Sequence, residues 1–199
     1  MNEMTRLRIN QEKNIIVSIG GGRVGCELLE LAIAASALIK ERLPHRMLIF
    51  TGPYLPEEQF IRLKRLAAGS SQITIERFTA SFLFRLEQAD LSISMAGYNT
   101  CMNILTTGVR ALVYPFTGAD NEEQEQTLRA NKLEGLGVVS VIRDHELEPR
   151  LLAERIIRCC GPQNGAVRPS LDLRGAEKTV AIITELLGEG AVAAGGIGQ

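Results

Sequence analysis

The sequence predicts an α/β fold in which a mainly parallel sheet of about six strands carries helices on both faces. Three observations carry that prediction. Short β-branched runs alternate with helical segments along most of the chain, which is the order that parallel crossover units need. The first run, NIIVSIG (residues 14–20), is apolar without interruption from Ile15 through Val17, as expected of a strand buried on both faces. Finally, 199 residues with 45% hydrophobic and 23% charged content suit one sizeable domain and are few for two. The expected arrangement is a single doubly wound, Rossmann-like domain over residues 14–188. A polar lead-in (residues 1–13) precedes it, and a flexible tail (residues 189–199) follows.

Each element has its own warrant. Residues 24–42 read as a helix with apolar positions at Leu28, Leu31, Ala35 and Leu38. RMLIFTG (46–52) is the second strand, and a helix over 56–66 follows with Pro56 placed for a first turn. QITIERF (72–78) is the third strand, FLFRLEQA (82–89) a short helix, and DLSIS (90–94) the fourth strand. A helix over 98–107 is stopped by Gly108. VRALVYPF (109–116) is a fifth strand, followed by a polar amphipathic helix over 121–133. GVVSVI (137–142) is a sixth, short strand, a helix over 146–160 comes next, and residues 161–170 form a loop rich in turn residues. A last amphipathic helix spans 171–187.

Composition excludes several function classes. A formal net charge of −1 leaves no basic excess for a nucleic-acid footprint. The longest apolar run, Leu28 to Ile39, contains Glu30 and is too short for a membrane span. The four cysteines form no CxxC pair, and the two histidines have no ligand-like neighbours, so neither a disulfide framework nor a metal site is expected. These features together point to a reducing, cytoplasmic setting.

Parallel sheets of this kind bind ligands at the carboxyl ends of their strands. The loop after the first strand, GGGRVG (20–25), fits GxGxxG, the turn that seats a dinucleotide pyrophosphate on a helix N-terminus. Its required partner is missing, because the second strand ends Phe50-Thr51-Gly52-Pro53 with no acidic residue for a ribose. A glycine turn serving helix–sheet packing, or a loop cradling some other nucleotide, remains. The fourth strand runs into Met95-Ala96-Gly97 and then directly into Tyr98-Asn99-Thr100. A glycine at that junction lets a ligand approach backbone amides at the positive end of a helix.

The segment FTASFLFRLEQADLSISMAGYNTCMNILTTGVRALVYPF (78–116), followed by NEEQEQTLRANKLEGLG (121–137), resembles the donor-binding half of a GT-B glycosyltransferase of family 28. The shared features are a Phe-containing loop, an Ala-Asp before a strand, a small-Gly-x-x-Thr turn, a helix ending Thr-Thr-Gly, a strand ending in proline and a Glu/Gln-bearing helix start. The resemblance covers residues 14–160. It implies a site for a nucleoside diphosphate sugar, with a UDP-sugar as donor substrate and no separate cofactor. Phe78 and Thr79 would edge the base, and Ala96, Gly97, Tyr98, Asn99 and Thr100 would wrap the diphosphate. Gly21, Gly22 and Arg23 would lie near the phosphates, while Glu125 and Gln126 would hold the hydroxyls of the transferred sugar.

The family's usual glutamate for the ribose hydroxyls is here Asn103, which has one acceptor oxygen in place of a carboxylate. The resemblance also implies a metal-independent transferase whose base and acceptor site sit in a separate N-terminal domain or subunit. This chain alone is therefore expected to be inactive, and no catalytic residue is assigned to it. A nucleotide-sugar epimerase or hydrolase half, or a non-catalytic sugar-nucleotide-binding module, would use the same site.

Overall fold

Strands β1 (Lys13–Ser18), β2 (His45–Phe50), β3 (Ile73–Glu76), β4 (Leu91–Met95), β5 (Ala111–Tyr114) and β6 (Ser140–Val141) form one sheet in the order β3-β2-β1-β4-β5-β6. Every adjacent pair is parallel. The computed structural model describes residues 12–118, 124–161 and 174–194. The chain divides into two units, residues 1–169 and 170–199. The first holds the sheet and helices α1 (Cys26–Ile39), α2 (Glu57–Leu66), α3 (Phe82–Glu87), α4 (Tyr98–Thr107), α5 (Glu125–Gly135) and α6 (Pro149–Cys160). The second holds α7 (Gly175–Ala194), which runs past the expected end at Leu187. No described helix is long and apolar enough to cross a membrane.

Alternation along the central strands sorts the core into two layers. Ile15 and Val17 of β1 face a cluster with Leu28, Leu29 and Ala32 of α1, Leu63 of α2, and Leu152 and Ile156 of α6. Ile16 faces the opposite cluster with Leu86 of α3, Cys101 and Ile104 of α4, and Ala130 and Leu133 of α5. Val17, Leu28 and Ile104 are fully buried, and each such side chain contributes about 1.5–3 kcal/mol relative to exposure. That double burial is why β1 carries an unbroken apolar run, whereas β4 alternates apolar residues with small serines that are buried as well.

Several boundaries differ from the pattern-based reading for local reasons. Helix α1 begins at Cys26, not residue 24, because Gly25 has φ 92°, a left-handed conformation that cannot lie inside a helix. Strand β6 contracts to two residues, paired through Leu112↔Ser140 and Val113↔Val141, since as an edge strand it is held from one side only. The segment before α6 is a short 3-10 turn, Asp144–Glu146, with Pro149 opening the helix itself. The expected start of the fifth helix at Asn121 lies outside the described residues, which resume before Glu125. Helix α4 matches its expected bounds, with Gly97 as N-cap and Gly108 closing it at φ 64°.

The strand order supplies the geometry that matters for function. From β1 the chain winds outward through β2 and β3, then crosses back to β4 on the other side of β1. The loops after β1 and β4 therefore leave in opposite directions and open a crevice at the carboxyl ends of these two strands. Ser18 and Ser94 are direct partners across that junction.

Candidate functional site

A pocket of about 190 Å³ occupies this crevice. Ser18 and Gly20 form its wall on the β1 side, with Phe50 and Gly52 from the end of β2. The loop after β3 contributes Arg77, Phe78 and Thr79. Helix α3 adds Phe82, whose ring meets Phe50 edge-on at 5.5 Å between centroids and makes one side apolar. Asn99, Thr100 and Asn103 enter from α4, where spacings of three and four residues place them along one helix face.

The start of α4 is built to receive acceptor atoms. Gly97 is extended (φ −63°, ψ 151°), and no side chain caps the helix. The amides of its first turn thus keep the unsatisfied donor capacity of an uncapped helix N-terminus, with the positive end of the helix dipole behind them. Asn99 and Thr100 lie within the helix and do not cap it, which leaves their side chains on the pocket. A side-chain atom added at Gly97 would meet nothing within 4 Å among the described residues, so the approach is open. Phe78 is 69% exposed at the rim, a flat apolar surface beside the polar helix end. Thr79 is fixed by its own loop: its Oγ1 accepts a bond from the Ser81 amide at 3.2 Å and lies 3.1 Å from the Ser81 hydroxyl.

The glycine loop after β1 divides by role. Gly20 lines the pocket, whereas Gly22 is buried against backbone. A methyl group at Gly22 would lie 2.4 Å from the Thr51 carbonyl oxygen and 2.9 Å from the Leu55 nitrogen. The Tyr54 amide donates to the Gly21 carbonyl at 2.9 Å, and Arg23 sits 5.2 Å from the centre of the exposed Tyr54 ring. Gly21, Gly22 and Arg23 thus join the loops after β1 and β2 and do not line the pocket itself. Gly25 lets α1 close onto β4, where an added methyl would come within 2.8 Å of the Met95 sulfur.

Four other expected contact residues are engaged within the fold. Ala96 donates its amide to the Tyr114 carbonyl at 2.9 Å and accepts from the Arg129 guanidinium at 3.0 Å. Arg129 also pairs with Glu125 and lies 5.5 Å from the centre of the Tyr98 ring. Gln126 accepts a bond from the Phe116 amide at 3.1 Å, bracing the loop after β5. Tyr98 and Glu125 therefore lie beside the α4 turn and Gln126 beside the loop after β5, and none of the three lines the pocket. Of the residues singled out from sequence, the pocket brings together Phe78, Thr79, Asn99, Thr100 and Asn103.

Sequence reasoning missed Ser18, Phe50, Arg77, Phe82 and Arg129. The first three end or directly follow β1, β2 and β3, and the rule that ligands sit at carboxyl ends of parallel strands could have named them. Among the described residues Arg77 is the one ionisable side chain lining the pocket, and it is already committed. It donates to the Leu55 carbonyl at 2.8 Å, pairs with Glu57 at 2.5 Å and lies over the Phe60 ring at 4.3 Å. Arg129 carried no signal until Ala96 and Glu125 were brought to it. No cluster of three or more potential metal ligands occurs among the described residues.

Residues 16–171 match the family model described as the glycosyltransferase family 28 C-terminal domain. The chain belongs to glycosyltransferase family 28. Among curated family 28 relatives, a UDP-N-acetylglucosamine--N-acetylmuramyl-(pentapeptide) pyrophosphoryl-undecaprenol N-acetylglucosamine transferase of Hahella chejuensis is 28% identical over 174 residues. That alignment covers 87% of this chain and 46% of the relative. The enzyme of the same description from Brucella anthropi is 28% identical over 149 residues, 73% of this chain and 38% of the relative. The family 28 chain thus spans less than half the length of these two relatives.

Solved structures agree on the fold. MurG of Acinetobacter baumannii superposes with a TM-score of 0.71 at 22% identity, over 88% of this chain and 53% of that one. A Methanocaldococcus jannaschii UDP-GlcNAc 2-epimerase superposes with a TM-score of 0.59 at 12% identity, over 92% of this chain and 49% of that one.

Proposed function

We propose that this family 28 chain is the donor-binding half of a metal-independent GT-B glycosyltransferase and binds a nucleoside diphosphate sugar, a UDP-sugar by its resemblance. One observation carries the reading: a pocket at the β1/β4 switch point is flanked by the uncapped, sterically open N-terminus of α4. The diphosphate would meet the first-turn amides of α4, where negative charge is favoured by unsatisfied N–H groups and the helix dipole. The base would lie against Phe78, and Asn103 would face the pentose.

In transfer, the acceptor hydroxyl attacks the anomeric carbon while the bond to the diphosphate breaks, and a base must take the hydroxyl proton. The α4 amides would stabilise the departing diphosphate, the role of preorganised donors aimed at developing charge. An acceptor domain or subunit would supply the base. The relatives' N-acetylglucosamine transfer is the guide to the sugar, and UDP-N-acetylglucosamine is the first donor to try.

Calorimetric titration with UDP, UDP-N-acetylglucosamine, GDP, TDP and NAD tests the reading. Binding of one nucleoside diphosphate is expected, with a Gly97→Leu variant losing it. Gly97 has an ordinary negative φ and open space around it, so that variant should keep its melting temperature while blocking the phosphates. Binding that survives Gly97→Leu, or no binding of any nucleotide, would overturn the assignment.

A further inference from the structure

Three side-chain hydroxyls buried within the sheet, those of Ser18, Ser92 and Ser94, have no hydrogen-bond partner among the described residues. Folding has removed each from water without replacing the lost bonds, and buried polar groups in that state are uncommon. Ser92 and Ser94 do not line the pocket, but Ser18 does. It is the last residue of β1, 3% exposed, and alternation places it with Ile16 on the face covered by α3, α4 and α5. Its neighbours around the pocket include Thr100 and Asn103 of α4.

We propose that Ser18 is a specificity-determining residue of the donor site, one that hydrogen-bonds a pentose hydroxyl of the nucleoside diphosphate alongside Asn103. The inference rests on the nucleotide-binding reading above and extends it to the sugar of the nucleotide. A vicinal pair of hydroxyls needs two partners, and a single carboxylate supplies both through its two oxygens. Among the described residues no Asp or Glu lines this pocket, and the Asn103 amide has a single acceptor oxygen. A serine hydroxyl both donates and accepts, so Ser18 complements Asn103 whichever way the amide is turned.

The state of Ser18 before binding strengthens the contact. A hydrogen bond formed on binding usually nets little, because each partner first gives up water. Ser18 has already given up its water on folding, so only the ligand hydroxyl is newly dehydrated. Both protein partners are uncharged, which keeps discrimination modest: about two- to twelvefold per hydroxyl.

The test titrates the unmodified chain and Ser18→Ala with UDP, 2′-deoxy-UDP and 3′-deoxy-UDP, and records both melting temperatures. The unmodified chain should favour UDP over at least one deoxy analogue by roughly two- to twelvefold. Ser18→Ala should bind UDP more weakly by that factor and no longer distinguish that analogue. Its melting temperature should stay level or rise, because the deleted hydroxyl had no partner in the fold. Discrimination that is absent in the unmodified chain, or that persists in Ser18→Ala, overturns the role of Ser18 while nucleotide binding stands. A uniform loss for all three ligands with a lowered melting temperature also overturns it, as damage to the fold. No binding of UDP by the unmodified chain overturns the nucleotide reading and the role of Ser18 with it.

Discussion

Substitution of Gly52 by alanine probes how the glycine loops were joined. Gly52 has φ 81°, and a methyl group there would lie 2.4 Å from the Gly20 oxygen, 2.4 Å from the Gly21 carbonyl carbon and 2.5 Å from the Gly22 nitrogen. All three atoms are backbone and cannot swing aside. The left-handed conformation costs alanine about 1–2 kcal/mol, and overpacking adds about 1–3 kcal/mol. The expected loss is therefore about 2–5 kcal/mol, which for a chain of this size lowers the melting temperature by roughly 4–20 °C.

Gly20→Ala is the matched control, since Gly20 has φ 68° but nothing within 4 Å of the added atom. It should show the conformational cost alone, about 1–2 kcal/mol. Urea denaturation of both variants, with slopes compared to confirm a common unfolded state, measures the difference. Equal midpoints for the two would refute the claim that these loops are locked backbone against backbone.

Arg129→Ala should cost about 1.5–3 kcal/mol through its lost bond to the Ala96 carbonyl, with the side chain only 15% exposed. Glu125→Ala should cost under about 1 kcal/mol, because that carboxylate is 80% exposed and its ion pair is screened. Denaturation of the two variants separates these contributions. Stability should also fall in alkali. Burial, the nearby Asp144 charge and the bond to Asp144 push the Tyr114 hydroxyl up to about 12 from 10.0, and burial pushes the Cys160 thiol up to about 12 from 9.0. In both, the neutral form is favoured in the fold. Their contribution is therefore complete below pH 9.0 and is lost as pH climbs to about 12. A Tyr114→Phe, Cys160→Ala double variant should flatten the melting-temperature profile across that window, and an unchanged profile would reject the attribution.

Much of the architecture was legible because it is encoded locally. The uninterrupted apolar run of β1 reports burial on two faces, and Gly108 closes α4 because its left-handed conformation suits glycine. The pocket positions of Asn99 and Thr100 follow from the same local logic, since a helix starting at residue 98 puts them in its first turn beside a strand end. Phe78, Thr79 and Asn103 came instead from the resemblance. The ends of α1 and β6 were less well read, because a left-handed Gly25 and a one-sided edge strand depend on what packs next to them.

What only the tertiary structure decided are contacts between loops distant in sequence. GGGRVG reads alike whether its glycines face a phosphate or another loop. The strand order set β2 beside β1, pressed Gly22 against Thr51 and Leu55, and left Gly20 on the pocket. Arg129 became the strap between α5 and the β4–α4 turn because parallel pairing of β4 with β5 brought Ala96 within its reach. The unpartnered hydroxyl of Ser18 is the clearest case. A serine at a strand end is ordinary in sequence, and its isolation is a property of every neighbour that the fold assembles around it. Periodicity and backbone preference act over a few residues and are written in the chain. Hydrogen-bond satisfaction is a sum over spatial neighbours, and those exist only once the sheet has formed.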